Sequence, residues 1–563
     1  VCYCPYTLNF FRRYLQEKYQ DLDRLNHCWK TRYTDWRFIT PGRQVNPYFE
    51  IQTLEWNYFM ENVQTAACLK RRCQVIKETD PLPRPVFAHK GSPLIGSAVD
   101  WTYARCQDFL GSSNYPAWSR SHPWDDGSPR GEERPDKHYS LHAEIYDGCV
   151  LKFDYLRSCQ VEGQPVWAAE FQGGPAVSGL HQGRTPSGKD IRRWVLSCLS
   201  SGVTGICFWV TRAEIAPPEI NGFSLLDSTG ETTERFEEAS RLAQVLNRLP
   251  ALFNQPNQEP ATVGIIVDEW NYQGCRLFDR AEGHLVYNLR TWHRLLWENN
   301  LPVDFLSLSH SPERLSRYQV LILPFPLFLS RESGKKLLEY VNRGGNLISG
   351  PCPGRLSEYG FCQRRELSPE AENLFGVNHA SLTLVAEPGG KSRWSFPEWT
   401  WGEFLKPEWL TGTGPLAGQR LWPYFYLETF SCQAATPCLM YRGKTAGSRL
   451  KHNKGSAWLL GTFASYGVTA YRRKENVSFL LTLLRLCGVT PDYSGKLIRR
   501  RRAGGKHQVW FFTNPGRKKV TEKIDVTGWS KVETLWGEKL SVEKGTVILA
   551  VRPLEVTALV LTQ

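Results

Sequence analysis

Apolar stripes at helical spacing alternate with short apolar runs over residues 1–253. Leu8, Phe11, Leu15 and Tyr19 form one such stripe and predict a helix over 7–19. The same spacing predicts helices over 46–79, 144–159 and 189–199, and the short runs predict strands at 85–88, 108–111, 165–170 and 203–210. Strands separated by helices are typical of a parallel sheet, and eight of them close a barrel. Four strands predict half of a (β/α)8 barrel for this first domain.

A second α/β domain is predicted over 261–489, after a polar, proline-bearing link at 254–260. Apolar runs predict strands at 263–267, 303–306, 320–324 and 346–349, and helical stripes lie at 284–298, 333–343 and 477–486. The order of these elements is typical of an open, doubly wound sheet of flavodoxin type. The pattern over 380–485 is mixed and predicts no single element type.

The third domain, residues 490–563, shows the alternation of apolar and polar positions that is typical of strands. The clearest segments are 508–513, 546–551 and 556–561. No helical stripe interrupts them. We therefore predict a small antiparallel β-sandwich at this end of the chain.

Composition agrees with several globular domains, since the 563 residues are 41% hydrophobic and 22% charged. The net charge of +13 raises the question of nucleic-acid binding, and basic runs lie at 70–72, 499–502 and 517–519. Because no zinc-finger, RRM or KH pattern accompanies these runs, we interpret them as solvated faces. No apolar run has the length of a membrane span. We expect neither nucleic acid nor a membrane as a partner.

The sixteen cysteines are scattered along the chain, a distribution that favours free thiols in a reducing, cytoplasmic compartment. The first residues carry no signal-peptide features. Only Cys2 and Cys4 are close-spaced, and a zinc site needs three or four protein ligands. Thr7 stands where a further cysteine would complete such a group. Whether Cys2 and Cys4 belong to a zinc site stays open, and we assign no metal.

The strongest chemical signal is Glu170, which ends a predicted buried strand and precedes Gly173 and Gly174. Barrel enzymes place catalysis at this carboxyl-terminal rim. Neighbouring strand ends bring further polar and aromatic residues to the same rim, namely Asn114, Tyr115, Trp118, Trp209, Arg212, Glu214 and Glu219. Indole faces stack on sugar C–H surfaces, and carboxylates and amides bind hydroxyls. The site therefore suits a sugar, although the residues equally allow Glu170 to be a structural group paired with Arg212.

A second candidate nucleophile is Cys352, in the run Gly350-Pro351-Cys352-Pro353-Gly354 after a predicted strand. This run resembles the nucleophile elbow of class I glutamine amidotransferases. A working thiolate needs a neighbouring base, and His379 is available but no His-x-Glu pair follows it. Prolines on both sides fit a strand-turn-helix elbow poorly. We interpret Cys352 as structural.

Several segments, in the same order along the chain, resemble glycoside hydrolase family 42, most members of which are β-galactosidases. The resemblance covers nearly the whole chain and includes the family's trimerisation domain in the flavodoxin-like part. It rests on Cys2-Tyr3-Cys4 with 10–19 and 23–26, Ser113-Asn114-Tyr115-Pro116, Trp167-Ala168-Ala169-Glu170-Phe171-Gln172, 208–212 and Ser224-Leu225-Leu226-Asp227.

The resemblance implies a retaining hydrolase of terminal β-D-galactosides, with Glu170 as the nucleophile that forms a glycosyl-enzyme. Tyr115 matches a residue that hydrogen-bonds the nucleophile, and Glu219 matches an acceptor of a substrate hydroxyl. We also assign Asn114, Trp209 and Arg212 to substrate binding. The implied protein is a homotrimer that uses carboxyl groups and no cofactor.

Three departures from the family pattern accompany this resemblance. The family's acid/base glutamate lies in an Asn-Glu pair shortly before the Cys-x-Cys segment, so the sequence is expected to begin after it and to hold only the second half of the barrel. Thr7 replaces a cysteine of the family's zinc cluster, and Asn221-Gly222 stand where a histidine often follows the Glu219 match. The alternative is an inactive remnant that serves oligomerisation or carbohydrate binding.

Overall fold

The computed structural model describes residues 2–42, 50–119, 137–178, 181–278, 282–385, 407–469 and 473–563. In these ranges the chain forms a four-stranded parallel sheet with a short two-stranded antiparallel pair, then an eleven-stranded mixed sheet, then two small antiparallel sheets. No helix of the described ranges has the length and apolar character needed to cross a bilayer. All sixteen cysteines are free thiols, as the scattered spacing predicts.

The first sheet runs in the order β1-β2-β3-β6 with every pair parallel, which confirms the predicted parallel arrangement. The strands of this part are β1 (His89–Lys90), β2 (Gly111–Asn114), β3 (Trp167–Gln172), β4 (Val177–Ser178), β5 (His181–Gln182) and β6 (Gly205–Trp209). The first two lie a few residues later than the apolar runs that predicted them. Polar residues occupy the carboxyl ends of these two strands, so the apolar run ends before the hydrogen-bonded strand does.

Helices cover the chain between these strands. They are α1 (Pro5–Tyr19), α2 (Leu22–Trp29), α3 (Ile51–Tyr58), α4 (Ala66–Thr79), α5 (Val99–Arg105), α6 (Lys137–Ile145), α7 (Leu151–Cys159), α8 (Gly188–Ser200), α9 (Glu234–Arg248) and α10 (Pro250–Phe253). Helix α8 shows why these segments fold, because Ser187 and Asp190 form a capping box at its start. Its predicted face of Ile191, Trp194 and Cys198 is fully buried.

Two of the predicted helices contain a π-helical turn. The turn Phe59–Thr65 joins α3 to α4, and the turn Tyr146–Val150 joins α6 to α7. The helix predicted over 144–159 therefore begins earlier, at Lys137. Residues 46–49 of the helix predicted over 46–79 lie outside the described residues.

The second sheet contains the order β8-β7-β9-β10-β17 in parallel, which is the flavodoxin order that the pattern predicts. Its antiparallel extension occupies the stretch that the pattern left mixed. The strands are β7 (Val263–Val267), β8 (Val303–Ser307), β9 (Val320–Leu323), β10 (Asn346–Ser349), β11 (Val377–Leu384), β12 (Leu410–Gly412), β13 (Arg420–Leu421), β14 (Tyr426–Cys432), β15 (Thr436–Tyr441), β16 (Lys444–Lys451) and β17 (Ser456–Leu460).

The helices of this part flank the parallel strands. They are α11 (Glu269–Leu277), α12 (Glu282–Glu298), α13 (Pro312–Leu315), α14 (Arg331–Asn342), α15 (Pro369–Phe375), α16 (Tyr466–Thr469) and α17 (Lys474–Leu486). Helix α11 begins at the N-cap Asp268, whose carboxylate accepts a hydrogen bond from the backbone N–H of Asn271 at 2.8 Å.

The last part is β-rich and antiparallel, as predicted. Its strands are β18 (Ile498–Gly504), β19 (His507–Thr513), β20 (Val520–Asp525), β21 (Lys531–Thr534), β22 (Thr546–Val551) and β23 (Val556–Thr562). They pair as β18-β19-β23-β21 and β20-β22. Residues of both sheets share one core, which includes Phe512, Ile524 and Val547.

A buried ionic junction joins the three parts of the chain. Asp154 of α7 is fully buried and accepts hydrogen bonds from both terminal nitrogens of Arg500 on β18, at 2.6 and 2.9 Å. Nε2 of His293 on α12 lies 2.9 Å from the same carboxylate. Because each partner comes from a different part, this junction sets how the parts pack against one another.

Candidate active site

Three neighbouring strands converge on the carboxylate of Glu170. Ser113 of β2 donates a hydrogen bond to its Oε2 at 3.0 Å, and Nε2 of His89 on β1 lies 3.1 Å from the same oxygen. The hydroxyl of Tyr115, just after β2, donates to Oε1. Both carboxylate oxygens are therefore held by side chains from neighbouring strand ends.

The strand register explains this convergence. Ser113 is the cross-strand partner of Glu170, and His89 is the partner of Gly111. In parallel strands that end at one rim, side chains on the same face meet without any long loop. The Glu170 side chain keeps 22% of its surface exposed, so a ligand at the rim can reach it.

The hydroxyl of Tyr115 stays protonated beside Glu170. Partial burial raises its pKa, and the hydrogen bond to Glu170 and the charges of Glu170 and Glu219 raise it further. A phenol in this state is a permanent hydrogen-bond donor at neutral pH. Tyr115 therefore orients the carboxylate and does not compete with it as a base.

An aromatic wall stands beside the carboxylate. The ring centroids of Tyr115 and Trp118 lie 4.8 Å apart, and Phe223 lies 5.2 Å from the first ring and 5.6 Å from the second. Trp118 is exposed over 56% of its surface. An exposed indole next to a carboxylate suits the apolar face of a sugar ring.

Trp209 and Glu219 form a second polar pair near the same rim. Trp209 ends β6, and its Nε1 donates to Oε2 of Glu219 at 3.3 Å. Both side chains are half-buried. The charge of Glu219 acts on Tyr115, so this pair lies within electrostatic reach of the Glu170 cluster.

Two predicted substrate-binding residues, Arg212 and Asn114, make none of the described contacts to Glu170. Arg212 is exposed beside Gly230, and none of the described ion pairs joins it to Glu170, so the pairing allowed by the sequence is not observed. Asn114 is fully buried, and its Nδ2 donates to the backbone carbonyl of Gly148. Successive residues of a strand point to opposite faces, so Ser113 contacts Glu170 while Asn114 contacts Gly148. The substrate-binding role of Asn114 stays a prediction.

Sequence reasoning missed His89, Ser113 and Phe223. The signal for His89 was its place directly after the apolar run at 85–88, where a polar residue marks a strand end at the rim. Ser113 stood next to the two residues that we selected. Phe223 lies in the long loop after β6, and no pattern in the sequence connects it to Tyr115.

The structure supports a structural role for Cys352. The residue is buried, with a φ of 64°, and its backbone N–H donates to Oε2 of Glu428 at 2.6 Å. Burial raises the pKa of the Cys352 thiol well above its usual value, and the Glu428 charge adds to the effect. His379 is exposed on β11, and no contact to Cys352 is found among the described residues. Glu428 lies beside the thiol and favours its protonated form, and a buried thiol that stays protonated is no nucleophile.

The cysteine pair at the start of the chain has no third metal ligand in the described ranges, where no group of three or more His, Cys, Asp or Glu side chains could hold a metal ion. Oγ1 of Thr7 lies 3.3 Å from Sγ of Cys4. Hydrogen bonds with Thr7 and, to a smaller extent, with Cys2 lower the pKa of Cys4 to about 7. Thr7 thus contacts the thiol where the spacing suggested a further ligand.

Two family models match the chain. The model described as β-galactosidase, of glycoside hydrolase family 42, matches residues 1–249. The model described as the β-galactosidase trimerisation domain matches residues 261–402. Together they cover more than half of the chain.

Individual relatives give the same result. The β-galactosidase Pbg of Clostridium perfringens is 24% identical over 387 residues, which is 64% of this chain and 50% of Pbg. The β-galactosidase BgaA of Planococcus sp. is 21% identical over 572 residues, which is 98% of this chain and 77% of BgaA. The chain thus spans about half the length of Pbg.

A solved structure shares the fold over the whole chain. Gan42B, a β-galactosidase from G. stearothermophilus, superposes with a TM-score of 0.79 at 19% identity, covering 100% of this chain and 77% of that chain. The two family models confirm, at the level of the family, the resemblance read from the sequence. The chain belongs to the β-galactosidase family of glycoside hydrolases, family 42.

Proposed function

We propose that this chain carries the nucleophile of a retaining glycoside hydrolase that acts on terminal β-D-galactosides, and that Glu170 is that nucleophile. The observation that carries the proposal is the carboxylate held by Ser113, His89 and Tyr115 beside an aromatic wall. The β-galactosidase names of the relatives support galactose as the sugar.

In this mechanism the Glu170 carboxylate attacks the anomeric carbon while the leaving oxygen receives a proton from a second carboxylic acid. The glycosyl-enzyme ester is then cleaved by water, which the second carboxylate deprotonates. Tyr115 and Ser113 hold Glu170 so that one oxygen faces the sugar. Trp118 stacks on the ring, and Glu219 accepts a hydroxyl hydrogen bond.

We place the second carboxylic acid outside this sequence, in the segment before Val1. In this proposal the sheet β1-β2-β3-β6 is the second half of a (β/α)8 barrel, followed by a trimerisation domain over 261–489 and a β domain over 490–563. Among the described residues, β1 and β6 each have one neighbour in the sheet, which leaves two edges for further strands. The working protein is a cytoplasmic homotrimer.

The test is the hydrolysis of a nitrophenyl β-D-galactoside by the full-length protein and by its Glu170→Gln variant. Loss of the nucleophile lowers kcat on the order of 10⁴-fold or more. Glu231→Gln, an exposed carboxylate in the loop after β6, is the matched control and keeps its activity. A fluorinated galactoside that traps the ester labels the peptide containing Glu170. The assignment of Glu170 as the nucleophile is excluded if the Glu170→Gln and Glu231→Gln proteins hydrolyse the substrate at equal rates. A label on another carboxylate also excludes it.

If the wild-type protein hydrolyses no galactoside, the result supports the alternative, an inactive remnant. Product analysis by NMR separates the mechanisms, because a retaining enzyme releases β-galactose first. An initial product of inverted configuration rules out the glycosyl-enzyme.

A further inference from the structure

A cleft of about 640 Å³ lies between the helices of the first part and the carboxyl edge of the flavodoxin-like sheet. Its lining includes Asp268 after β7, Ser307 and Ser309 at the end of β8, and Ser330 at the start of α14. Strand β7 lies between β8 and β9, where the order of the sheet reverses. Open α/β sheets bind ligands at this position, outside the carboxyl ends of the strands. We call it the switch-point cleft.

The switch-point cleft is separate from the Glu170 cluster, because neither Glu170 nor its three partners line it. The loop 91–98, which follows His89, reaches its edge. There the backbone N–H of Ala98 donates to Glu269 at 2.8 Å. A volume near 640 Å³ falls inside the range of about 300–1,000 Å³ that is usual for small-molecule sites.

The two lysine side chains that line the cleft already contact protein oxygens. The ammonium of Lys18 lies 2.9 Å from Oε1 of Glu55. The ammonium of Lys336 donates to the carbonyls of Leu308 and His310 at 2.6 and 3.2 Å. A phosphate or another anion would find no uncommitted cation among these two side chains, so the cleft disfavours anions.

The cleft also contains carboxylates and serine hydroxyls that can hydrogen-bond a neutral ligand. Asp268, Glu332 and Glu358 line the cleft, and the hydroxyls of Ser307 and Ser309 lie 2.8 Å apart. Burial raises the pKa of Asp268 to about 6, with a further contribution from Glu269, so it is mostly ionised at neutral pH. Ionised carboxylates make stronger hydrogen bonds to hydroxyl donors than neutral acceptors do.

Aromatic rings complete the lining. Trp270 is fixed by the hydrogen bond of its Nε1 to the carbonyl of Glu358 at 2.7 Å and by an edge contact with Tyr58 at 5.3 Å. Tyr14 and Tyr359 line the same space. Rigid rings beside carboxylates and hydroxyls form the combination that suits the apolar and hydroxyl faces of a sugar.

We propose that the switch-point cleft is a second saccharide site, which binds a neutral mono- or disaccharide through Asp268, the paired serines and the aromatic wall. It performs no bond cleavage and does not depend on Glu170. The cleft thus adds a binding function to the domain whose family model is described only by trimerisation.

The experiment titrates lactose by calorimetry into the full-length Glu170→Gln protein, in which hydrolysis is blocked. Asp268→Asn is the informative variant, since asparagine caps a helix as well as aspartate and keeps the fold while removing the charge. We expect it to raise the Kd of the cleft on the order of tenfold. Ser309→Phe, at an exposed position, fills the cleft and abolishes this binding. Glu313→Gln, an exposed carboxyl on α13, is the matched control.

The outcomes are distinct from those of the catalytic test. Lactose binding that weakens in both cleft variants supports the proposal, whether or not the Glu170 site hydrolyses galactosides. Binding isotherms identical in the Asp268→Asn, Ser309→Phe and control proteins overturn it, as does the absence of any lactose binding. Binding of inorganic phosphate that Ser309→Phe abolishes, without lactose binding, also overturns it. Thermal melting verifies that each variant is folded.

Discussion

The imidazole Nε2 of His89 lies 3.1 Å from Oε2 of Glu170, although the two residues belong to strands separated by β2. The same oxygen accepts the hydroxyl of Ser113 at 3.0 Å. Two side chains that meet at one carboxylate oxygen restrict the orientation of the carboxylate. We infer that this relationship positions the nucleophile for attack.

Replacing His89 by alanine is expected to lower kcat by up to about 5-fold, since a partly exposed contact of this kind contributes up to about 1 kcal/mol. KM is expected to change little, because His89 orients Glu170 whereas the sugar ring stacks on Trp118. Steady-state kinetics on a nitrophenyl galactoside measure both constants. His89→Asn, which keeps a donor, restores part of kcat, and a change confined to KM would contradict a positioning role.

Tyr115→Phe removes the donor to the other oxygen, Oε1, and keeps the ring that packs on Trp118 and Phe223. We expect a fall in kcat/KM of about 10- to 100-fold with little change in the unfolding midpoint. Tyr103→Phe, on α5, is the matched control. Wild-type kcat/KM in the Tyr115→Phe protein would show that the phenol is dispensable.

The junction around Asp154 is expected to make stability depend on pH. Burial opposes ionisation, but the charge of Arg500 and the hydrogen bond from His293 hold the pKa of Asp154 well below its usual value of 3.8. A lowered pKa in the folded state contributes stability that is present above 3.8 and is lost as the pH falls further. Glu298 acts in the same direction: burial raises its pKa, but Arg294 and His142 together lower it to about 2.

Asp154→Asn leaves Arg500 without its buried anion and is expected to cost about 3–5 kcal/mol of unfolding free energy near neutral pH. The loss shrinks as the pH falls below the usual aspartate range. Denaturant unfolding of variant and wild type at a series of pH values measures it. Asp525→Asn, on an exposed position of β20, is the control, and a pH-independent difference would contradict the linkage.

Cys352→Ser is expected to leave galactoside hydrolysis unchanged, because the thiol is buried and the neighbouring Glu428 raises its pKa. The native thiol resists alkylation, whereas exposed Cys2 and Cys68 react. Mass spectrometry of iodoacetamide-treated protein shows which cysteines carry the label. Rapid labelling of Cys352 together with a loss of activity would reverse this interpretation.

Buried strands of the parallel sheets are where the sequence predicts best. The bounds of β7 and β10 match their apolar segments residue for residue. Both faces of a central parallel strand are covered, so its hydrophobicity begins and ends with the strand. Strands β11 to β16 escaped prediction because they mix exposed and buried positions and their pairing partners are remote in the chain.

The sequence by itself determined the family, the order of the three parts and the choice of Glu170 and Tyr115, since these follow from local motifs and their order. Only the tertiary structure decided that Ser113 and not Asn114 faces the carboxylate, and that His89 reaches across β2 to the same oxygen. The physical reason is the register of parallel strands, in which a shift of one residue exchanges the two faces. That register depends on packing between segments far apart in the chain.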